Sequence, residues 1–191
     1  MINKSVIILS GGKNSRMNYK TKAFLKIDGI RFIDKIFLET SDFEEKILSC
    51  NDINLYEEFK NQALLVKDEF KDIGPMGGIY SCLKKSNFES SLVVASDMPF
   101  LNKDFLNYIS SYKFNEDALI PVVNGKVNPL CGIYKKSILK IIESMIFKKD
   151  YKLKNLLEKI STKYIECNEI NNFINVNTEV EYNELCKRKF K

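Results

Sequence analysis

Histidine is absent from the sequence. That removes imidazole-based acid–base catalysis and any His-ligated zinc or iron from the functions open to the chain. Long apolar runs are absent too. None approaches the roughly 20 residues needed to span a bilayer, and the N-terminus has neither the apolar core nor the small-residue cleavage site of a signal peptide. The expected setting is therefore the cytoplasm, with no membrane partner. Cysteine is scarce and scattered: Cys50, Cys82, Cys131, Cys167 and Cys186 are odd in number and widely spaced. This argues against a disulfide framework or a CxxC metal site and makes most of them small core residues. No block of one charge occurs either. The 30 basic and 25 acidic residues leave a net charge of only +5, with Lys and Glu interspersed, so no nucleic-acid partner is expected. Chemistry must run on Asp, Glu, Lys, Arg, hydroxyls, thiols or a bound hard metal ion.

What is present is a globular composition. With 191 residues, 45% of them hydrophobic, the chain suits one well-buried domain, expected to span residues 1–191. Short apolar runs recur as "SVIIL" (5–9), "KILSC" (46–50), "ALLVK" (63–67), "SLVVAS" (91–96), "ALIPVV" (118–123), "LCGIY" (130–134) and "KYIEC" (163–167). Several are apolar at every position, as strands covered on both faces should be. Between them, residues 32–40, 77–86, 103–112, 136–146 and 153–160 carry apolar stripes of helical period. This alternation predicts an α/β fold with a mostly parallel sheet, and ligands beyond the C-terminal ends of its strands. The loops to search are 10–22, 67–78, 96–100 and 124–129.

The first loop, "SGGKNSRMNYKTK" (10–22), follows a buried strand with two glycines and then Lys13, Arg16, Lys20 and Lys22. Minimal side chains let backbone N–H groups meet phosphate oxygens, and mixed Arg and Lys suit a polyphosphate. A lysine-rich surface turn would read the same way. Neither GxxxxGK[ST] nor GxGxxG is present. "VVASDMPF" (93–100) ends an apolar strand in Asp97, placed either to hold Mg2+ or to cap the next turn. "KDEFKDIGPMGGIYSCL" (67–83) offers Asp68 and a glycine-rich helix entry. These could line a nucleotide pocket, or serve a turn and a close helix approach. In "NVNTEVEYNEL" (175–185), Thr178 and Glu181 form a T-x-x-E capping box, and an extended chain would turn Asn175 and Asn177 to one face.

Together these segments resemble the molybdenum cofactor guanylyltransferases, within the nucleotidyltransferases that share a Rossmann-like sheet. "LSGGKNSRMNYKTKAFL" matches the family's LAGG-x-x-x-RMG-x-x-K-x-L, "DIGPMGGI" its GPLAGI, "ASDMPFL" its C-D-M-P-F-L, and "FINVNTEVEYNEL" its N-x-N-T-P-E-[DE]. The four occur in the family's order from residue 6 to about residue 185. The resemblance implies a three-layer sheet of the nucleotide-diphospho-sugar transferase type. It also implies transfer of GMP from GTP to molybdopterin, with release of pyrophosphate and Mg2+ as cofactor. Leu9, Ser10, Gly11 and Gly12 would then meet the nucleotide through backbone. Lys22 would bind phosphate, Asp68 the nucleotide, and Asp97 both nucleotide and Mg2+. Arg16 would face the triphosphate and act catalytically with Lys22 and Asp97, while Asn175 and Asn177 would face the pterin. Molybdoenzyme chaperones or other cofactor-biosynthesis proteins are the implied partners. Ser10 for alanine, Asn18 for glycine, Thr21 for aspartate and Glu179 for proline depart from the pattern. Related readings are a cytidylyltransferase for molybdopterin, a sugar- or cobinamide-phosphate nucleotidyltransferase, and a cofactor carrier that binds nucleotide without turnover.

Overall fold

Each of the seven apolar runs becomes a strand in the computed structural model, which describes residues 1–11 and 21–187. In chain order the elements are β1 (Ile2–Leu9), β2 (Lys26–Ile27), β3 (Ile30–Arg31), α1 (Phe32–Glu39), β4 (Phe43–Ser49), β5 (Leu64–Val66), α2 (Pro75–Lys85) and β6 (Ser90–Ala95). They continue as α3 (Lys103–Ser111), β7 (Ala118–Val123), β8 (Lys126–Val127), β9 (Cys131–Lys135), α4 (Leu139–Phe147), α5 (Leu153–Lys159), β10 (Thr162–Glu166) and α6 (Glu179–Lys187).

The main sheet has the order β10-β7-β9-β6-β1-β4-β5, with β8 paired to β7. Pairs β6–β1, β1–β4, β4–β5 and β10–β7 are parallel, whereas β9 runs antiparallel to both β6 and β7. The sheet is thus mostly parallel, with one reversed strand along its main path. Pro121 lies where the partner of β7 changes: β9 pairs only as far as Leu119, and β8 takes over at Val122. The missing proline N–H therefore falls in a gap of the ladder.

Strand alternation sorts the core into two layers. From β1, Val6 and Ile8 point to the layer that holds Ile33 and Ile36 of α1 and Phe105, Leu106 and Ile109 of α3. Ile7 and Leu9 point to the layer with Met76, Ile79 and Leu83 of α2 and Ile142 of α4. Ile7 and Ile8 are fully buried on opposite faces, each worth about 1.5–3 kcal/mol of transfer free energy. Four of the five cysteines, all except Cys186, are buried and unpaired, so they are core thiols. Burial pushes the Cys50 thiol up to about 11.

Two local elements anchor the C-terminal segment. Glu181 accepts from the backbone of Asn177 at 2.6 Å and Thr178 at 3.0 Å, and Thr178 Oγ1 accepts from Glu181 N at 3.2 Å. This is the capping box of α6. Val176 is buried with Ile27, Phe32 and Leu185, and its N–H donates to the Asp97 carbonyl at 3.0 Å. The tail of the chain is thereby tied to the end of β6. No described helix is long and apolar enough to cross a membrane.

Candidate active site

The C-terminal ends of β1, β4 and β6 open onto a cavity of about 510 Å³. Adjacent strand ends hold one another: Ser10 N donates to Ser49 O at 3.0 Å, and Ser96 N to Leu9 O at 2.9 Å. Side chains on these ends are thus fixed by the sheet, and they form two polar groups.

The first group centres on Lys22. Residues Lys22–Phe24 form one 3-10 turn, in which Ala23 is buried and the Phe24 ring lies 5.2 Å from that of Tyr56. This packing aims the Lys22 side chain between two acceptors. Its Nζ donates to Asn177 Oδ1 at 3.0 Å and forms an ion pair with Asp97 Oδ2 at 3.5 Å. Burial raises the Asp97 carboxyl above the ordinary carboxylate range, opposed by the Lys22 charge. Asp97 does not cap α3, because Asn102 does so through Oδ1 to Phe105 N at 2.9 Å. A carboxylate beside an ammonium and facing a cavity has the chemistry to hold a hard cation or a phosphate-bound metal.

The second group centres on Asp68, just beyond β5. Its Oδ1 accepts from Ser49 Oγ at 2.8 Å, while burial raises its pKa. Asn51 stands beside it: an added Cβ on Gly11 would lie 3.3 Å from Asn51 Nδ2 and 3.8 Å from Asp68 Oδ2. Gly74, at φ 68°, turns the chain into α2. Gly78 then brings the helix onto the sheet, where an added Cβ would lie 2.6 Å from Ser49 Oγ and 2.9 Å from Leu9 Cδ2. Glycine therefore serves close helix-to-sheet approach as well as the cavity wall.

Of the residues expected from sequence, Leu9, Ser10, Gly11, Lys22, Asp68 and Asp97 line this cavity. Asn177 joins through Lys22. Asn175 Oδ1 is buried without a hydrogen-bond partner among the described residues. Gly12, Lys13, Arg16 and Lys20 lie outside the described residues. Of loop 124–129, no residue lines the cavity, which instead takes Leu130. Asn124 and Gly125, at φ 50° and 72°, close the β7–β8 hairpin. Sequence reading missed Ser49 and Asn51 in the cavity wall. The loop after β4 is one more C-terminal strand end carrying a polar residue, and that position was the available signal.

Known proteins share this fold and sequence. The model of the MobA-like NTP transferase domain matches residues 6–164. A probable molybdenum cofactor guanylyltransferase of Clostridium perfringens is 42% identical, with 99% of each chain covered. A protein of the same name from Flavobacterium johnsoniae is 33% identical over 95% of each. Among solved structures, molybdopterin-guanine dinucleotide biosynthesis protein A from Archaeoglobus fulgidus superposes with a TM-score of 0.80 at 26% identity, covering 95% of this chain and 96% of that one. The matched span runs from β1 to β10 and contains Lys22, Asp68 and Asp97. By fold and sequence alike, the chain belongs to the MobA-like NTP transferase family.

Proposed function

We propose that this protein is a guanylyltransferase acting as one nucleotidyltransferase domain over residues 1–191. It would transfer GMP from GTP to the terminal phosphate of molybdopterin. The observation that carries the reading is the division of one cavity into an end where the Lys22 ammonium meets Asp97 and Asn177, and an end where Asp68 accepts from Ser49 beside Asn51. The first suits phosphates; the second suits a nucleoside. The full-length likeness to proteins named molybdenum cofactor guanylyltransferase supports the choice of guanine and of the pterin acceptor.

In the reaction, an acceptor phosphate oxygen attacks the α-phosphorus of GTP. The new P–O bond forms as the bond to the β-phosphate bridging oxygen breaks, and pyrophosphate leaves with that electron pair. The acceptor is already an anion, so no histidine base is needed. Positioning and charge neutralisation supply the rate. Lys22 would neutralise the phosphates near the leaving group, helped by Arg16. Asp68 would accept from nucleoside donors. Asn175, whose Oδ1 is buried and unpartnered among the described residues, would turn to the pterin with Asn177.

The residues suit a divalent metal. No group of three His, Cys, Asp or Glu side chains gathers among the described residues, so an all-protein cage is not what they offer. Mg2+ commonly needs only one or two carboxylates with substrate phosphates and water, and Asp97 at the Lys22 end would hold it. When bound, it would polarise the α-phosphoryl oxygen. Molybdenum-enzyme chaperones or other cofactor-biosynthesis proteins would receive the product, and the cytoplasm would be its setting.

The test is to supply molybdopterin, Mg2+ and each nucleoside triphosphate in turn, following pyrophosphate and dinucleotide. GTP should dominate. Equal or greater turnover with CTP would remove the guanylyl assignment, and binding without pyrophosphate release would make the protein a carrier.

A further inference from the structure

Arg31 does not line the cavity, yet it commits four of its five N–H donors to two carboxylates. Nε and Nη2 donate to Asp34 of α1 at 2.7 and 2.8 Å, and Nη1 and Nη2 donate to Glu58 at 2.8 Å each. Both edges of the guanidinium are thus forked onto carboxylates, a geometry that a lysine cannot copy. Its plane also meets aromatic rings. Cζ lies 5.3 Å from the Phe24 centroid and 5.5 Å from that of Phe59, within cation–π range. Glu58 and Phe59 belong to the 3-10 segment Asn54–Phe59 after β4, whereas Phe24 closes the turn that begins with Lys22. An isolated ion pair at the surface would contribute little. Here one side chain, 27% exposed, joins α1, the 54–59 segment and the Lys22 turn, so several contacts share the cost of ordering it.

Backbone bonds set the shape of that turn: Phe24 N donates to Thr21 O and Leu25 N to Lys22 O, each at 3.0 Å. Phe32 N, next to Arg31, donates to Leu25 O at 2.8 Å. The Phe24 ring, 5.2 Å from that of Tyr56 and beside the Arg31 guanidinium, sets where the turn stands against the 54–59 segment. Lys22 leaves the turn toward Asn177 and Asp97, which it reaches at 3.0 and 3.5 Å. A misplacement of about 1 Å in such a group is enough to weaken its action strongly.

We infer that Arg31 is a positioning residue for nucleotide binding: through Phe24 it holds the Lys22 turn so that the ammonium meets the triphosphate. This rests on the phosphate role of Lys22 proposed above and adds the side chain that keeps Lys22 in place.

The test is a double-mutant cycle: calorimetric GTP binding to native protein, Arg31→Lys, Lys22→Ala and the double variant, with thermal melts of each. Arg31→Lys keeps a cation between Asp34 and Glu58, which avoids two unpaired carboxylates, but it loses the forks and the plane. It should weaken GTP binding about 3–10-fold, the scale of coupling between side chains in one chain of contacts. On the Lys22→Ala background the same change should alter GTP affinity by a factor of about 1, although Tm falls similarly on both backgrounds. A merely structural role would lower affinity equally on both. Phe24→Leu removes the ring and spares the Arg31 ion pairs. It should reproduce the loss, again only where Lys22 is present, and it decides the question if Arg31→Lys does not fold. Native GTP affinity in Arg31→Lys or in Phe24→Leu, or the same weakening with and without Lys22, would overturn the positioning role and leave the nucleotide reading standing. Native GTP affinity in Lys22→Ala would overturn the phosphate role of Lys22 and this inference with it.

Discussion

Replacing Gly78 with alanine sets two effects against each other. As a better helix former, alanine favours α2 by about 1 kcal/mol. Its Cβ, however, would lie 2.6 Å from Ser49 Oγ, 2.9 Å from Leu9 Cδ2 and 3.3 Å from Ser49 Cβ. The Ser49 hydroxyl can rotate away, but doing so releases Asp68, to which it donates at 2.8 Å. Leu9 is buried, so its Cδ2 shifts only against packed neighbours, and the Ser49 Cβ yields only by a small movement of helix from sheet. Overpacking of this kind costs about 1–3 kcal/mol, so sterics match or exceed the helical gain. For a chain of this length each lost kcal/mol lowers Tm by about 2–4 °C. The larger consequence falls on binding. A hydrogen bond to a carboxylate contributes about 1.5–3 kcal/mol, and an Asp68 cut loose from Ser49 should weaken GTP binding roughly tenfold or more. Thermal melts and calorimetric titration measure the two effects separately. A raised Tm with native GTP affinity would mean that α2 does not press on Ser49, and the reasoning about this wall of the cavity would fail.

Other outcomes follow from the same geometry. Lys22→Ala removes the cation between Asp97 and Asn177 and should raise KM for GTP by about 10–100-fold; steady-state kinetics with unchanged KM would return Lys22 to a surface role. Asp97→Asn should lower metal-dependent kcat by about 100-fold or more, and near-native turnover across a Mg2+ titration would remove Asp97 from the metal site. Asp68 gives a pH signature. Burial raises its folded pKa above 3.8, so the native state holds a proton that the unfolded chain has lost. Its stability relative to Asp68→Asn should therefore fall as pH rises from about 3.8 through the folded value and level off above it. Chemical denaturation of both proteins across that range checks the sign, and a rising difference would contradict it.

Much of the fold was legible because buried parallel strands announce themselves. Ser5–Leu9 and Ser91–Ala95 are covered on both faces, and their sequences show it as runs apolar at nearly every position. The reversal of β9 was not legible. "LCGIY" is as apolar as its neighbours, and direction comes from the hairpin before it rather than from composition. The hairpin turns Asp28–Gly29 and Asn124–Gly125, all at positive φ, carry a readable two-residue signal that strand runs overshadowed. At the site, Asp68 and Asp97 were visible because each closely follows a strand, and Lys22 because a motif marks it. Ser49, Asn51 and Tyr56 were not, since their meaning comes from contacts across the fold. Tyr56 meets Ser10 across 46 residues of sequence, and no local pattern encodes that meeting.

The most direct test of GMP transfer uses GTP labelled in turn at the α- and γ-phosphate, with molybdopterin and Mg2+. The account predicts that α label enters the pterin product, while γ label leaves as pyrophosphate in equal amount. Label from the γ position in the pterin, or α label recovered only as free GMP, would contradict it.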